Sequence, residues 1–81
     1  MMQIQLMSFG ALTDILGSDA MDWDLTVSSM TVGTLRTLLI ERYPALGGKT
    51  FRIAVNERFE ADESEIFTGD SIALMPPFSG G

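Results

Sequence analysis

The 81 residues of the chain suffice for one small domain with a single core, and they are too few for a second domain or an enclosed catalytic cleft. Hydrophobic residues make up 46% and charged residues 20%, a balance typical of folded globular chains, while the net charge of −6 disfavours nucleic acid and anionic membrane surfaces as partners. The chain has no cysteine and no histidine, which excludes disulfides, thiolate nucleophiles, zinc–thiolate sites and the commonest general base.

The N-terminal part of the chain predicts a strand followed by a short helix. Polar and apolar residues alternate over residues 3–9, with Ile4 and Leu6 on one face. Apolar residues at helical spacing then predict a short helix within residues 10–17, which ends at a glycine. A turn after this helix leads to the next strand.

A second strand and the main helix follow. Alternation over residues 22–27 predicts a strand that pairs with the first. Its inward face consists of Trp23, Leu25 and Val27. Thr31 is a suitable N-cap for a helix that ends before Pro44. The apolar stripe of this helix consists of Val32, Leu35, Leu38, Leu39 and Tyr43.

The second half of the chain predicts a hairpin and a last strand. After a loop over residues 45–50, residues 51–55 alternate as a strand and connect through a tight turn to a short strand over residues 58–60. Residues 62–67 are acidic, and we predict irregular structure there. The last strand covers residues 71–75 and ends where two prolines remove N–H donors from the ladder.

This order of elements predicts an α+β fold. A strand, a short helix, a strand, a long helix and three further strands give one twisted mixed sheet of about five strands with the main helix on one face. That is the β-grasp, or ubiquitin-like, arrangement. We expect residues 1–77 to form this domain, with the first and last strands parallel in the middle of the sheet.

The C-terminal segment is the first candidate for function. It consists of Pro76-Pro77-Phe78-Ser79-Gly80-Gly81, and we expect residues 78–81 to form a flexible tail. The prolines stiffen the exit from the last strand, and glycines without Cβ atoms can enter a channel too narrow for side chains. Terminal glycines can also be a frayed, inert end, but a diglycine so soon after the last strand favours a reactive one. The carboxylate of Gly81 is the predicted reactive group.

An apolar surface is the second candidate. If the apolar residues of the first and last strands face the helix, then Met7, Ala73 and Met75 face the opposite side. Methionine and aromatic side chains on an uncovered sheet face suit a surface that binds different proteins in turn, because thioether side chains repack readily. Scattered surface hydrophobes and a second small core under a loop are the open alternatives. The predicted partner interface consists of Met7, Phe9, Phe59 and Met75.

The charged side chains give weaker signals. One acidic run could hold a metal ion or contact a basic partner, but it lacks the oxygen ligands at fixed offsets and the turn glycine of a calcium loop. The run consists of Glu57, Glu60, Asp62, Glu63 and Glu65. We therefore predict a solvated loop and no metal site. Arg36 and Arg42 are interpreted as ordinary surface residues of the main helix.

Several short motifs carry a resemblance over essentially the full length of the chain. They are Thr31-Val32, Leu35-Arg36, Ala54-Val55-Asn56, Gly69-Asp70 and, most specifically, the ending Pro76-Pro77-Phe78-Ser79-Gly80-Gly81. With these motifs the chain resembles the small subunit of molybdopterin synthase, the sulfur-carrier subunit of the MoaD/ThiS-type ubiquitin-like family.

The resemblance implies a cycle in which partner proteins do the chemistry. An E1-like activating enzyme would use ATP to adenylate Gly81, and sulfur from a persulfide donor would replace AMP to leave a thiocarboxylate. The large subunit of molybdopterin synthase would receive the tail, in a heterotetramer of two small and two large subunits, and the sulfur would pass to a pyranopterin precursor. The carrier itself would bind no cofactor.

Other functions fit the same features. A sulfur carrier for thiamine or another cofactor would share the fold and the tail. A ubiquitin-like tag would instead form an isopeptide bond with a lysine, and a plain interaction module would carry an inert tail. No stretch of sequence is apolar enough to span a bilayer and no signal-peptide pattern is present, which predicts a cytoplasmic protein.

Overall fold

The computed structural model describes residues 1–77, so the predicted flexible tail of residues 78–81 lies outside the described residues. The strands are β1 (Met2–Ser8), β2 (Ala20–Leu25), β3 (Ser29–Thr31), β4 (Arg52–Val55), β5 (Arg58–Phe59), β6 (Glu65–Phe67) and β7 (Ser71–Met75). The helices are α1 (Ala11–Leu16), α2 (Val32–Arg42) and a 3₁₀ helix (Pro44–Gly48). In this part of the chain no helix is both long and apolar enough to span a membrane.

The strands form a five-stranded mixed sheet and a separate two-stranded sheet. In the large sheet the order is β2-β1-β7-β4-β5, with β1 and β7 parallel and all other neighbours antiparallel. The parallel pair lies inside the sheet, as the sequence predicts. Together with α2 as the main helix, this confirms the α+β, β-grasp architecture expected from the order of elements.

The core lies between α2 and one face of the large sheet. α2 begins after Thr31, whose Oγ1 accepts a hydrogen bond from the Thr34 N–H at 3.1 Å and so caps the helix. The helix buries Leu35 and Leu39 completely. The sheet residues that meet it are Met2, Ile4, Leu6, Ile53, Val55, Ile72 and Leu74. Because side chains alternate along a strand, the residues between them point to the opposite face, called the outer face below.

The prediction of irregular structure over residues 62–67 holds for residues 62–64 but is wrong for residues 65–67. Residues 65–67 form β6, which pairs antiparallel with β3. Ile66 of β6 and Met30 of β3 are buried and belong to the main core. Each strand has only 3 residues, a run too short for alternation to be recognised in the sequence.

Two further boundaries differ from the predictions. The chain bends after Leu25, where β2 ends, so Val27 is 43% exposed and does not share the inward face of Trp23. Alternation of residue types continues in the sequence past this point, but pairing with β1 does not. The predicted loop after α2 contains the 3₁₀ helix, whose Leu46 is completely buried.

Arg36 is not an ordinary surface residue of α2. Its guanidinium donates hydrogen bonds to the carbonyl oxygen of Phe51 at 3.1 Å and to the carboxylate of Asp62 at 3.4 Å. The guanidinium carbon also lies 5.1 Å from the centroid of the Phe51 ring. One side chain therefore connects α2 to the start of β4 and to the loop before β6.

A tight turn connects β4 to β5. Asn56 and Glu57 have positive φ angles of 51° and 71°, the signature of a type I′ hairpin turn. The amide side chain of Asn56 donates to the carboxylate of Asp70 at 3.0 Å and accepts from the N–H of Ser71 at 2.9 Å. Asparagine tolerates this backbone conformation, whereas glutamate at the second position adopts one that glycine reaches without strain.

Replacing Glu57 by glycine is expected to stabilise the domain. Relief of the left-handed strain outweighs the extra freedom of glycine in the unfolded chain, and we expect the free energy of unfolding to rise by about 0.5–1 kcal/mol. Urea denaturation followed by circular dichroism measures the change. Glu63→Gly is the control, because Glu63 does not have a positive φ angle. This variant is expected to lose stability, since glycine increases the conformational freedom of the unfolded chain. A decrease in the free energy of unfolding for Glu57→Gly would show that the backbone at Glu57 is not strained.

Candidate functional site

The base of the predicted tail is fixed by the centre of the sheet. β7 pairs with β1 on one side and with β4 on the other, and the chain leaves it after Met75 through exposed Pro76 and Pro77. Gly10, with a φ of 61°, lies beside this exit, since a Cβ atom there would be 3.5 Å from Pro76 Cγ. The pairing of β7 with β1 and β4, together with the close approach of Gly10 to Pro76, therefore holds the exit in place. The predicted tail residues Phe78, Ser79, Gly80 and Gly81 lie outside the described residues.

An apolar row crosses the outer face of the sheet near this exit. In the strand register, Met7 lies between Ala20 and Ala73. Ala73 also lies beside Ala54, and Ala54 lies beside Phe59. The apolar row thus takes one residue from each strand of the large sheet.

A second row lies between the apolar row and the tail exit. Met75 is paired with Arg52, whose guanidinium carbon lies 3.7 Å from the centroid of the Phe59 ring. This cation–π contact covers part of the ring, which remains 42% exposed. Phe9 follows the end of β1 and is 46% exposed. We call the two rows with Phe9 the outer patch, which consists of Met7, Phe9, Ala20, Arg52, Ala54, Phe59, Ala73 and Met75.

The outer face becomes polar with distance from the exit. The row next to the apolar row contains Asp22, Gln5 and Ser71. One row further, Gln3 is paired with Asp24, and its side-chain amide donates to the Asp24 carboxylate at 3.1 Å. The apolar half of the face therefore borders the tail exit.

The structure brings the predicted interface residues together at one end of the sheet. Three of the four share the outer face, as the sequence predicts, and Phe9 lies at the same end. Sequence analysis misses Ala20 and Ala54, because alanine gives no strong apolar signal and only the strand register aligns these two with the larger side chains. The role of this surface in binding stays a prediction.

The acidic run is dispersed over the surface. Asp62 pairs with Arg36 at 3.4 Å, and Glu60 accepts a hydrogen bond from the Ser64 hydroxyl at 3.0 Å. Within residues 1–77, no three acidic side chains converge as the ligands of a metal ion would. The arrangement of these carboxylates is that of a solvated surface with local partners.

The chain is similar to known proteins over nearly its full length. The sequence profile of the ThiS family matches residues 9–81. The molybdopterin synthase sulfur carrier subunit of Dictyostelium discoideum is 28% identical to this chain in an alignment 83 positions long, which covers 98% of this chain and 96% of that protein.

Solved structures share the fold. Molybdopterin converting factor, subunit 1, from Pyrococcus furiosus superposes with a TM-score of 0.86 at 19% identity, covering 96% of this chain and 100% of that chain. SAMP1 of Haloferax volcanii has a TM-score of 0.76 at 27% identity in one structure, covering 98% of this chain and 99% of that chain. A second structure, of the small archaeal modifier protein 1 of the same organism, has a TM-score of 0.81 at 23% identity, covering 96% and 100%. A chain in the protein–protein complex of subunits 1 and 2 of molybdopterin-converting factor from Helicobacter pylori 26695 has a TM-score of 0.66 at 21% identity, covering 99% and 100%.

Proposed function

The chain belongs to the ThiS family, and on that basis we propose that it is a sulfur carrier for molybdenum cofactor synthesis, with the carboxylate of Gly81 as the group that receives the sulfur. The observation that carries the proposal is the family match, which runs from residue 9 through the diglycine. Similarity to the carrier subunit of Dictyostelium discoideum supports the choice of cofactor. The proposal takes Gly81 as the terminal residue of the active protein.

Activation turns a poor electrophile into a reactive one. A carboxylate does not react with a sulfur nucleophile until one of its oxygens becomes part of a good leaving group. An activating enzyme joins the Gly81 carboxylate to the α-phosphorus of ATP and releases pyrophosphate. The terminal sulfur of a donor persulfide then displaces AMP, and a second thiol of the donor cleaves the sulfur–sulfur bond. A thiocarboxylate remains on Gly81, and its sulfur is the atom that the carrier delivers.

The outer patch is the surface that we assign to the partner proteins. Its apolar side chains border the exit at Pro76, so a protein that binds the patch also receives the tail. The complex of the two Helicobacter pylori subunits supports a large synthase subunit as one partner. An E1-like activating enzyme is the other, and Met7 and Met75 can repack between the two. We extend the assembly to a heterotetramer of two carriers and two large subunits, in the cytoplasm.

Intact-mass spectrometry tests the proposal. The mass of the untreated protein first tests whether Gly81 is its last residue. The protein is then incubated with an activating enzyme, ATP and a persulfide donor. We expect one oxygen to be replaced by one sulfur, and only when ATP is present. An unchanged mass in the complete mixture would contradict the proposal.

A ubiquitin-like tag is the second candidate function. The similarity to small archaeal modifier protein 1 at 27% identity supports it. Both functions begin with adenylation of Gly81 and differ in the acceptor. The loaded chain is therefore mixed with the large synthase subunit and the pyranopterin precursor, or with proteins that present lysines. Loss of sulfur in the first mixture supports the molybdenum carrier, a covalent conjugate in the second supports the tag, and sulfur retained in the first points to another cofactor.

A further inference from the structure

A groove lies along the free edge of β2, away from the tail exit. β2 is the end strand of the large sheet, and residues of α2 line its open side. Two hollows of about 440 and about 580 Å³ follow this edge and share Leu25 and Leu38 in their lining. Trp23 lines the first hollow and Met30 the second. We call these two adjoining hollows the edge groove.

The direction of the backbone groups along β2 follows from its hydrogen bonds. The N–H of Ser8 donates to the carbonyl oxygen of Asp19 at 3.1 Å, so the odd-numbered residues of β2 bond to β1. The even-numbered residues therefore direct their N–H and C=O groups to the free edge. At Ala20 the hydroxyl of Ser18 satisfies both groups, since it accepts from the N–H at 3.3 Å and donates to the C=O at 2.7 Å.

Asp22 and Asp24 are the open positions of this edge. Among the bonds within residues 1–77, none involves the N–H or C=O of either residue. The free groups of Asp22 and Asp24 have the spacing of a strand ladder, and they lie beside a depression whose lining includes the apolar side chains of Trp23, Leu25 and Leu38. A row of unpaired groups of this kind is a template for an added strand.

The charge of the edge groove determines which strand it suits. Asp22 and Asp24 line it from the sheet side and Glu41 and Glu65 from the other, and all four are exposed. Arg42 is the one basic residue among the lining residues. The lining is therefore net negative and attracts lysine or arginine. A second copy of this chain would instead oppose the same aspartates, and like charges directly opposite destabilise a strand pair.

We propose that the edge groove binds an extended segment of a partner protein in which basic and apolar residues alternate, and that this segment adds to β2 as a further strand. Its backbone pairs with Asp22 and Asp24. Its basic side chains lie on the outer face near the two carboxylates, and its apolar side chains enter the groove beside Leu38. The alternation is required because successive side chains of a strand point to opposite sides.

A synthetic hexapeptide of alternating lysine and isoleucine, acetylated and amidated at its ends, is the probe. It contains no aromatic residue, so the emission of Trp23, the only tryptophan of the chain, reports binding. Two further versions carry N-methyl groups on all lysine amides or on all isoleucine amides, with charge and side chains unchanged. Only every second residue of an added strand bonds to β2. We expect one version alone to lose affinity, by about tenfold or more.

The version that loses affinity also gives the strand direction. Residues opposite each other in an antiparallel pair have side chains on the same face, so loss with methylated lysines indicates an antiparallel strand. Loss with methylated isoleucines indicates a parallel one, and either result supports strand addition. The proposal would be overturned if neither methylated peptide lost affinity or if both lost it to the same extent.

Hydrogen exchange provides an independent readout on the protein. The N–H groups of Asp22 and Asp24 are expected to gain protection when the peptide is added, while that of Trp23, already bonded to β1, changes little. Asp22→Asn and Asp24→Asn are expected to weaken binding by about two- to fivefold each at low salt. Asp14→Asn on α1 makes the same change of charge away from the groove and is the control. Unchanged protection at both aspartates in the presence of the bound peptide would overturn the proposal.

Discussion

Changing Gly81 to valine is expected to leave the domain folded and to lower thiocarboxylate formation by about a hundredfold or more. The core is built by residues between Met2 and Leu74, none of which the substitution alters. A β-branched side chain beside the reacting carbon hinders attack on the acyl carbon, and it would clash in the narrow partner channel that the diglycine predicts. Intact-mass spectrometry over time measures the rate, and circular dichroism measures the fold.

Gly48→Val is the matched control for this experiment. Gly48 lies at the end of the 3₁₀ helix, where an added Cβ atom would have open space. We expect it to form thiocarboxylate at the rate of the unmodified protein. A normal rate for Gly81→Val would remove the terminal residue from the mechanism. Adding one residue after Gly81 is a second test, since it moves the carboxylate without changing the diglycine.

Changing Phe59 to aspartate is expected to weaken binding to the large synthase subunit by about thirtyfold or more, at a loss of less than about 1 kcal/mol in stability. The ring lies at one end of the apolar row and is 42% exposed, so the folded carrier alone loses little. In a complex, the new carboxylate would lose its hydration on entering an apolar contact, and this desolvation weakens binding. Titration calorimetry measures the affinity, and urea denaturation measures the stability. Met75→Asp is expected to behave in the same way.

Phe67→Asp makes the same chemical change outside the outer patch. Phe67 is 55% exposed on β6 of the small sheet, and its substitution is expected to leave the affinity for the large subunit unchanged. An equal loss of affinity in both variants would show that the outer patch is not the contact surface. Unfolding of Phe59→Asp would show instead that the ring completes a second core.

The elements that sequence analysis predicts well are those long enough to display a period. β1 alternates over a whole strand, and α2 repeats its apolar residues through several turns, so the residue pattern alone places Leu6 and Leu35 in the core. β3 and β6 contribute one buried residue each, Met30 and Ile66. Their identity as strands depends on pairing with each other across the intervening helix and hairpin, and a local pattern carries no information about such a partner.

The candidate sites divide in the same way. The tail and the apolar character of Met7 and Phe59 are visible in the composition of single segments. The continuity of the apolar row requires the register that brings Ala54 between its neighbours. The edge groove requires the strand order, because the free groups of Asp22 and Asp24 exist only where β2 has no further neighbour. Order and register are properties of the assembled sheet.

The parallel pairing of β1 and β7 has a mechanical consequence. A force applied to the chain beyond Pro77, against a domain held near Met2, pulls these neighbouring strands in opposite directions along their own axes. The hydrogen bonds between them are then loaded in shear and must yield together, whereas bonds at the end of an unzipping hairpin yield one at a time. The domain is therefore expected to resist unfolding when a bound protein pulls on the chain after Pro77.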